Sequence, residues 1–104
     1  MQTKAKDKRI KALNQVPITV PDEDLSIVGL RPLDAALIRY VVAELNAFPN
    51  LSAAGTAHPE WRLHQWAPKR ASDPWSIDVS GNWRLLFEYD KKTHEITGLR
   101  LNPH

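Results

Sequence analysis

The 104-residue sequence contains no cysteine, only four glycines and a single methionine. The missing thiols exclude disulfides and thiolate chemistry, and their absence fits a reducing compartment. Long hydrophobic runs are also lacking. No stretch approaches the roughly 18 apolar residues that a membrane span needs, and the charged N-terminus has no signal-peptide core. A cytoplasmic protein without membrane attachment is therefore expected. The four histidines and twelve acids show no convincing metal-ligand spacing, so neither a metal nor a cofactor is expected. The length suits one domain, residues 1–104, with one modest core and no large ligand cavity.

The composition is that of an ordinary globular chain, with 42% hydrophobic and 25% charged residues. The net charge is only +2, but it is unevenly spread. Residues 1–11 carry Lys4, Lys6, Lys8, Arg9 and Lys11 against Asp7, a balance of +4, and residues 12–60 balance at −4. Residues 61–104 return to +2. Basic ends of this kind attract polyanions, although a plain solvated surface carries the same pattern.

Hydrophobic periodicity organises the chain into helices followed by strands. Ile10 and Leu13 fit a short amphipathic helix within residues 1–15, preceded by a weak edge strand or a frayed end. Pro17, Pro21 and the acidic run Asp22–Asp24 mark a loop, anchored by Leu25, Ile27, Val28 and Leu30. Pro32 suits the first turn of a second helix, and Leu33, Leu37, Val41, Leu45 and Phe48 form one apolar stripe along it. Pro49 ends it, and residues 49–60 read as a turn-rich connection. Trp61–Trp66 suggests a strand. Trp75, Ile77 and Val79, then Trp83, Leu85, Phe87 and Tyr89, alternate with polar residues around Ser80-Gly81-Asn82, the pattern of a β-hairpin. Residues 96–101 supply a last strand. The expected fold is α+β: a small antiparallel sheet of three to four strands, with two N-terminal helices packed on one face and the other face partly open.

The hairpin also carries a resemblance. Residues 75–90, WSIDVSGNWRLLFEYD, contain Ser-Ile-x-Val, two residues, then Asn-Trp-Arg and an apolar strand with aromatics. This resembles the central motif of HigB-type toxins of the RelE/ParE superfamily. Arg62-Leu63-His64 resembles the upstream segment where that family has a histidine opening a basic loop. The terminal His104 and the basic opening KAKDKRIKAL also match. The likeness is sharp over residues 61–89 and loose but collinear elsewhere. It implies a RelE-like fold and the toxin of a type II toxin–antitoxin system. That toxin is a ribosome-dependent, metal-independent endoribonuclease, an mRNA interferase that cuts messages in the ribosomal A site and arrests growth. The implied partners are the ribosome and mRNA, and a cognate HigA-like helix-turn-helix antitoxin through which alone operator DNA is reached.

RNA cleavage by the 2′-hydroxyl needs a base, positive charge for the phosphate and an acid for the leaving oxygen. His64 is the first candidate, as base or acid, because an imidazole ionises near neutrality; the alternative is an exposed strand histidine without a task. Arg84 alternates against Trp83 and Leu85, so its guanidinium should face the open side and clamp a phosphate; the alternative is a cross-strand ion pair with Asp78. His104 is the third catalytic candidate, unless the chain end is frayed. Lys69 and Arg70 occupy the family's basic loop as RNA-binding candidates, and either can match the family lysine. Trp66 is a stacking platform for a base or a buried anchor; Trp61, Trp75 and Trp83 read as core, and Asn82 as a turn residue. The family's terminal Asp-Tyr-His is here Asn102-Pro103-His104, so cleavage falls to His64 and the basic groups. One alternative is a RelE-fold relative that has lost catalysis and binds an antitoxin or RNA. Another is an unrelated RNA- or DNA-binding protein using its basic ends.

Overall fold

The computed structural model describes residues 1–66, 70 and 73–104. Strand β1 (Gln2–Ala5) leads into helix α1 (Lys8–Gln15), a 3-10 turn (Asp22–Asp24), helix α2 (Pro32–Ala47), helix α3 (Leu51–Ala57) and a second 3-10 turn (Pro59–Trp61). Strands β2 (His64–Gln65), β3 (Trp75–Asp78), β4 (Trp83–Asp90) and β5 (Glu95–Pro103) follow. They form one five-stranded sheet in the order β1-β5-β4-β3-β2. Its pairings are antiparallel except that of β1 with β5. The α+β class is as expected. Among the described residues, however, the sheet is mixed and five-stranded rather than antiparallel with three to four strands, and there are three α-helices rather than two.

The fifth strand comes from the chain's first residues. Local propensity is poor there, and the strand exists through pairing with β5, Gln2 opposite Glu95 and Thr3 opposite Ile96. The Met1 amino group adds hydrogen bonds to the carbonyls of Leu45, Asn46 and Phe48, tying β1 to the end of α2. Alternation along β3 and β4 works as the sequence suggests, with Ile77, Leu85 and Phe87 fully buried on one face. They join Ile96, Leu99 and Leu101 of β5 in a single core with Ile10 and Leu13 of α1, Ile38, Val41 and Leu45 of α2, and Leu51 and Ala54 of α3.

Four local expectations need correction. Helix α2 is turned by about one residue: it buries Asp34, Ala35, Ile38, Val41, Val42 and Leu45, while Leu33 is 66% exposed. The helix carries apolar residues on two overlapping stripes, and the one with the small Ala35 and Ile38 joins the core. Residues 49–60 are not a loop. Asn50 caps α3 by accepting a hydrogen bond from Ala53 N at 2.8 Å, and Gly55 lets Leu63 approach so closely that a Cβ there would lie 2.8 Å from Leu63 Cδ2. The strand expected over Trp61–Trp66 shrinks to His64–Gln65, because Trp61 belongs to a 3-10 turn that Arg62 ends in the left-handed region, at φ 51°. Val28, expected to anchor its loop, is 95% exposed; Leu25 takes that role.

Near the middle of β5 the register with β4 shifts between Leu86 and Glu88, and Gly98 sits there at φ 63°. A Cβ at this position would be 3.0 Å from Glu88 Oε2 and 3.3 Å from Arg100 Nη1, the two ends of an ion pair. Gly98→Ala should therefore cost about 1–2 kcal/mol, from left-handed strain and displacement of that pair. Urea unfolding of the variant measures this.

Candidate functional site

The face of the sheet opposite the core is organised by its register. One rung holds Asp78 of β3, Arg84 of β4 and Asn102 of β5. The neighbouring rung on the same face holds His64, Ser76, Leu86 and Arg100. Residues paired across antiparallel strands share a face at about 5 Å between Cβ atoms, so His64 and Arg84 stand diagonally on one side, the side that alternation implied for Arg84. That side is not bare: Ser76 is fully buried and Leu86 nearly so.

His64 is exposed and its orientation is fixed by its own chain. Nδ1 lies 2.7 Å from the carbonyl of Arg62. A carbonyl only accepts, so Nδ1 carries the proton in this contact and Nε2 is left for other chemistry. The left-handed turn at Arg62 sets up this hydrogen bond, at a strain cost of about 1–3 kcal/mol for a non-glycine residue.

Arg84 does not make the cross-strand ion pair that its position allowed. Its guanidinium carbon lies 5.3 Å from the centroid of the Trp66 ring, a cation–π arrangement that holds the flat group in place. No described carboxylate pairs with it, and its buried Nε has no hydrogen-bond partner among the described residues; nor does the buried Ser76 Oγ. Trp66 is thus half-buried beneath a cation, between the two roles that the sequence left open.

Asp78 instead gathers the other charged groups. Oδ1 faces Nε2 of His104 at 3.5 Å, and Oδ2 faces Nε of Arg62 at 3.7 Å. Both contacts are partly exposed and weak, but His104 is also held by its backbone, whose N–H donates to Asn82 O at 2.9 Å. The terminal histidine is docked on the hairpin turn rather than frayed. Asn82 itself acts structurally, its Nδ2 donating to the buried Asp34 carboxylate at 3.2 Å.

Arg70 lies on the segment between β2 and β3, bonded through its backbone and guanidinium to Asp73, with 80% of its side chain exposed. It is available to a ligand but is not part of the Asp78 cluster. Lys69 lies outside the described residues. Two contributors went unassigned in the sequence. Arg62 was visible only as a basic residue two before His64, and Asp78 only as a possible partner of Arg84. His58, also unassigned, stacks on Trp61 with ring centroids 4.2 Å apart, between Glu44 and Glu60 at 2.8 and 3.1 Å. It buttresses the helical layer.

Among the described residues, no three His, Asp or Glu side chains converge to hold a metal ion. No described helix is long and apolar enough to cross a membrane. No protein-family model matches the chain, and no curated protein gives a significant match.

Proposed function

We propose that the protein is the toxin of a type II toxin–antitoxin pair, a ribosome-dependent, metal-independent endoribonuclease of the RelE/HigB type that cuts mRNA in the A site. The observation that carries this reading is the shared sheet face of His64 and Arg84, with His104 beside Asp78 on the same hairpin. The sequence likeness over residues 61–89 supports it independently.

The chemistry follows from the atoms available. His64 Nε2 takes the proton of a ribose 2′-hydroxyl, whose oxygen attacks the adjacent phosphorus. Arg84 lies against the phosphate and neutralises charge that grows in the transition state. His104, in its protonated form, gives a proton to the departing 5′-oxygen. The products are a 2′,3′-cyclic phosphate and a free 5′-hydroxyl. Arg62 and Arg70 add phosphate affinity, and that affinity weakens with salt. An acidic segment of a HigA-like antitoxin covers this face to silence it, and operator DNA is bound through that partner.

A second reading keeps the fold and drops the chemistry. It is favoured by Asp78, whose carboxylate holds His104, and by the absence of the family's terminal Asp and Tyr. In that case the chain is an antitoxin- or RNA-binding module. Expression without the antitoxin separates the two. The toxin arrests growth and leaves new 5′ ends inside translated messages, mapped by primer extension. Normal growth with a soluble, folded product overturns the ribonuclease.

A further inference from the structure

The far end of the sheet, at the β4–β5 turn, holds an open hollow of about 630 Å³ that the cleavage chemistry does not use. Leu51, Leu63, Trp75 and Tyr89 give it a largely apolar floor, and Lys91 and His94 stand at its rim. A second hollow of about 540 Å³ shares Trp75, Tyr89 and Lys91 and adds Lys92 and Gln65. The two form one groove across Trp75. Gln65 follows His64 on the edge strand β2 but pairs with Trp75, so it belongs to the face of the sheet opposite His64 and Arg84.

The polar groups of the rim are arranged rather than loose. His94 takes a left-handed conformation, φ 55°, with its N–H bonded to Asp90 O at 2.8 Å. Tyr89 Oη accepts the Leu51 N–H at 3.3 Å and lies 2.6 Å from His94 Nδ1. This contact orients the His94 ring and leaves its Nε2 edge for a ligand. Two acids, Glu88 and Asp90, also line the second hollow, and each has partners of its own. Asp90 accepts from the backbone N–H groups of Lys92 and Thr93, which hold its carboxyl below the ordinary aspartate value. Glu88 pairs with Arg100 at 2.9 Å. Lys91 is in no ion pair among the described residues, whereas Lys92 helps to keep the Asp90 carboxyl charged.

An aromatic floor, an oriented imidazole and the Lys91 ammonium group match a planar base joined to a phosphate. We infer that this groove is a nucleotide subsite, with a base over Trp75 and its phosphate on Lys91 and His94, and that it holds RNA strand that has passed around the β2 edge from the cleaved bond. The strand assignment rests on the proposed ribonuclease function; the nucleotide chemistry does not.

The test uses the full chain and a labelled RNA octamer methylated at every 2′-oxygen, which cannot be cut. Anisotropy should show binding that weakens about tenfold in Lys91→Glu and several-fold in His94→Asn. Asparagine tolerates the left-handed backbone, so the second variant keeps the turn. Octamer binding far tighter than that of adenosine monophosphate supports the strand subsite. Equal binding of the mononucleotide, lost in the same variants, overturns the strand assignment and identifies a free-nucleotide site. No octamer or mononucleotide binding, or binding indifferent to both substitutions, overturns the inference. Wild-type protein that binds through Lys91 yet leaves translated messages intact removes the ribonuclease reading and leaves the subsite standing.

Discussion

If the protein is the proposed ribonuclease, replacing Arg84 by alanine should lower the rate of mRNA cleavage on the ribosome by about 10²–10³-fold, the usual loss when one preorganised cationic or hydrogen-bonding group is taken from a transition state. The expectation rests on where the guanidinium stands. It shares a sheet face with His64, lies against Trp66, and has no carboxylate partner among the described residues. Positive charge that is not already neutralised is available to a phosphate. Arg84→Lys keeps the charge but loses the planar fork and its stacking, so it should recover only part of the rate. Single-turnover cleavage on programmed ribosomes measures both. The fold should survive, because Arg84 projects away from the core that Leu85 and Phe87 fill. Antitoxin binding and the thermal midpoint are the controls. An Arg84→Ala protein that is folded and cuts at the wild-type rate ends the proposed mechanism. A wild-type protein that never cuts, while still binding its partner, leaves the binding module.

The hairpin that carries this site was legible because its signal is local. Ile77, Leu85 and Phe87 alternate with polar residues around Ser80-Gly81-Asn82, and in β-structure alternation fixes the face of each side chain. The same rule placed Arg84 on the side opposite Leu85, and the structure agrees. His64 stands on the same side through its pairing with Ser76, although the expected Trp61–Trp66 strand shrinks to His64–Gln65. What escaped the sequence depends on distant partners. For residues 2–5 the sequence leaves an edge strand or a frayed end open, because they offer little apolar surface, and pairing with β5, more than ninety residues away, decides for the strand. The docking of His104 depends on Asn82 and Asp78, and no spacing in the sequence encodes their meeting. The orientation of α2 escaped for a different reason. Leu33 and Leu37 offer one apolar stripe, and Ala35 and Ile38 offer another. Periodicity cannot rank two stripes that share Val41 and Leu45, whereas close packing against the sheet can.

Asp7→Ala should destabilise the protein by about 2–3 kcal/mol, because one carboxylate fastens three parts of the chain. Oδ1 caps α1 by accepting from Arg9 N at 2.9 Å. Oδ2 accepts from Leu101 N of β5 at 3.2 Å. Both oxygens bind the Arg9 guanidinium, at 3.0 and 2.8 Å, and that group in turn lies 4.8 Å from the centroid of the Trp83 ring. Alanine removes the cap and leaves the Leu101 N–H without its acceptor. For a domain of this size the thermal midpoint should fall by about 10–20 °C. Asparagine retains an acceptor for the cap but not the charge, and should cost about half as much. The pair also gives stability a pH dependence of defined sign. The Arg9 side chain, assisted by the Arg9 and Leu101 backbone N–H groups and opposed by desolvation, holds the Asp7 carboxyl below the ordinary aspartate value of 3.8. The folded state therefore binds this proton less tightly than the unfolded chain. The stabilisation is complete above the unfolded value, and it is lost as pH falls through the lowered folded value. Arg9 is raised from an already high value, first by its hydrogen bond to Asp7, and stays charged throughout. Urea unfolding at pH 7 and at a series of pH values below 4 should show the wild type losing its advantage over Asp7→Asn as acid is added. A difference between the two that does not change with pH would mean that the Asp7 charge contributes nothing to holding α1 on the sheet.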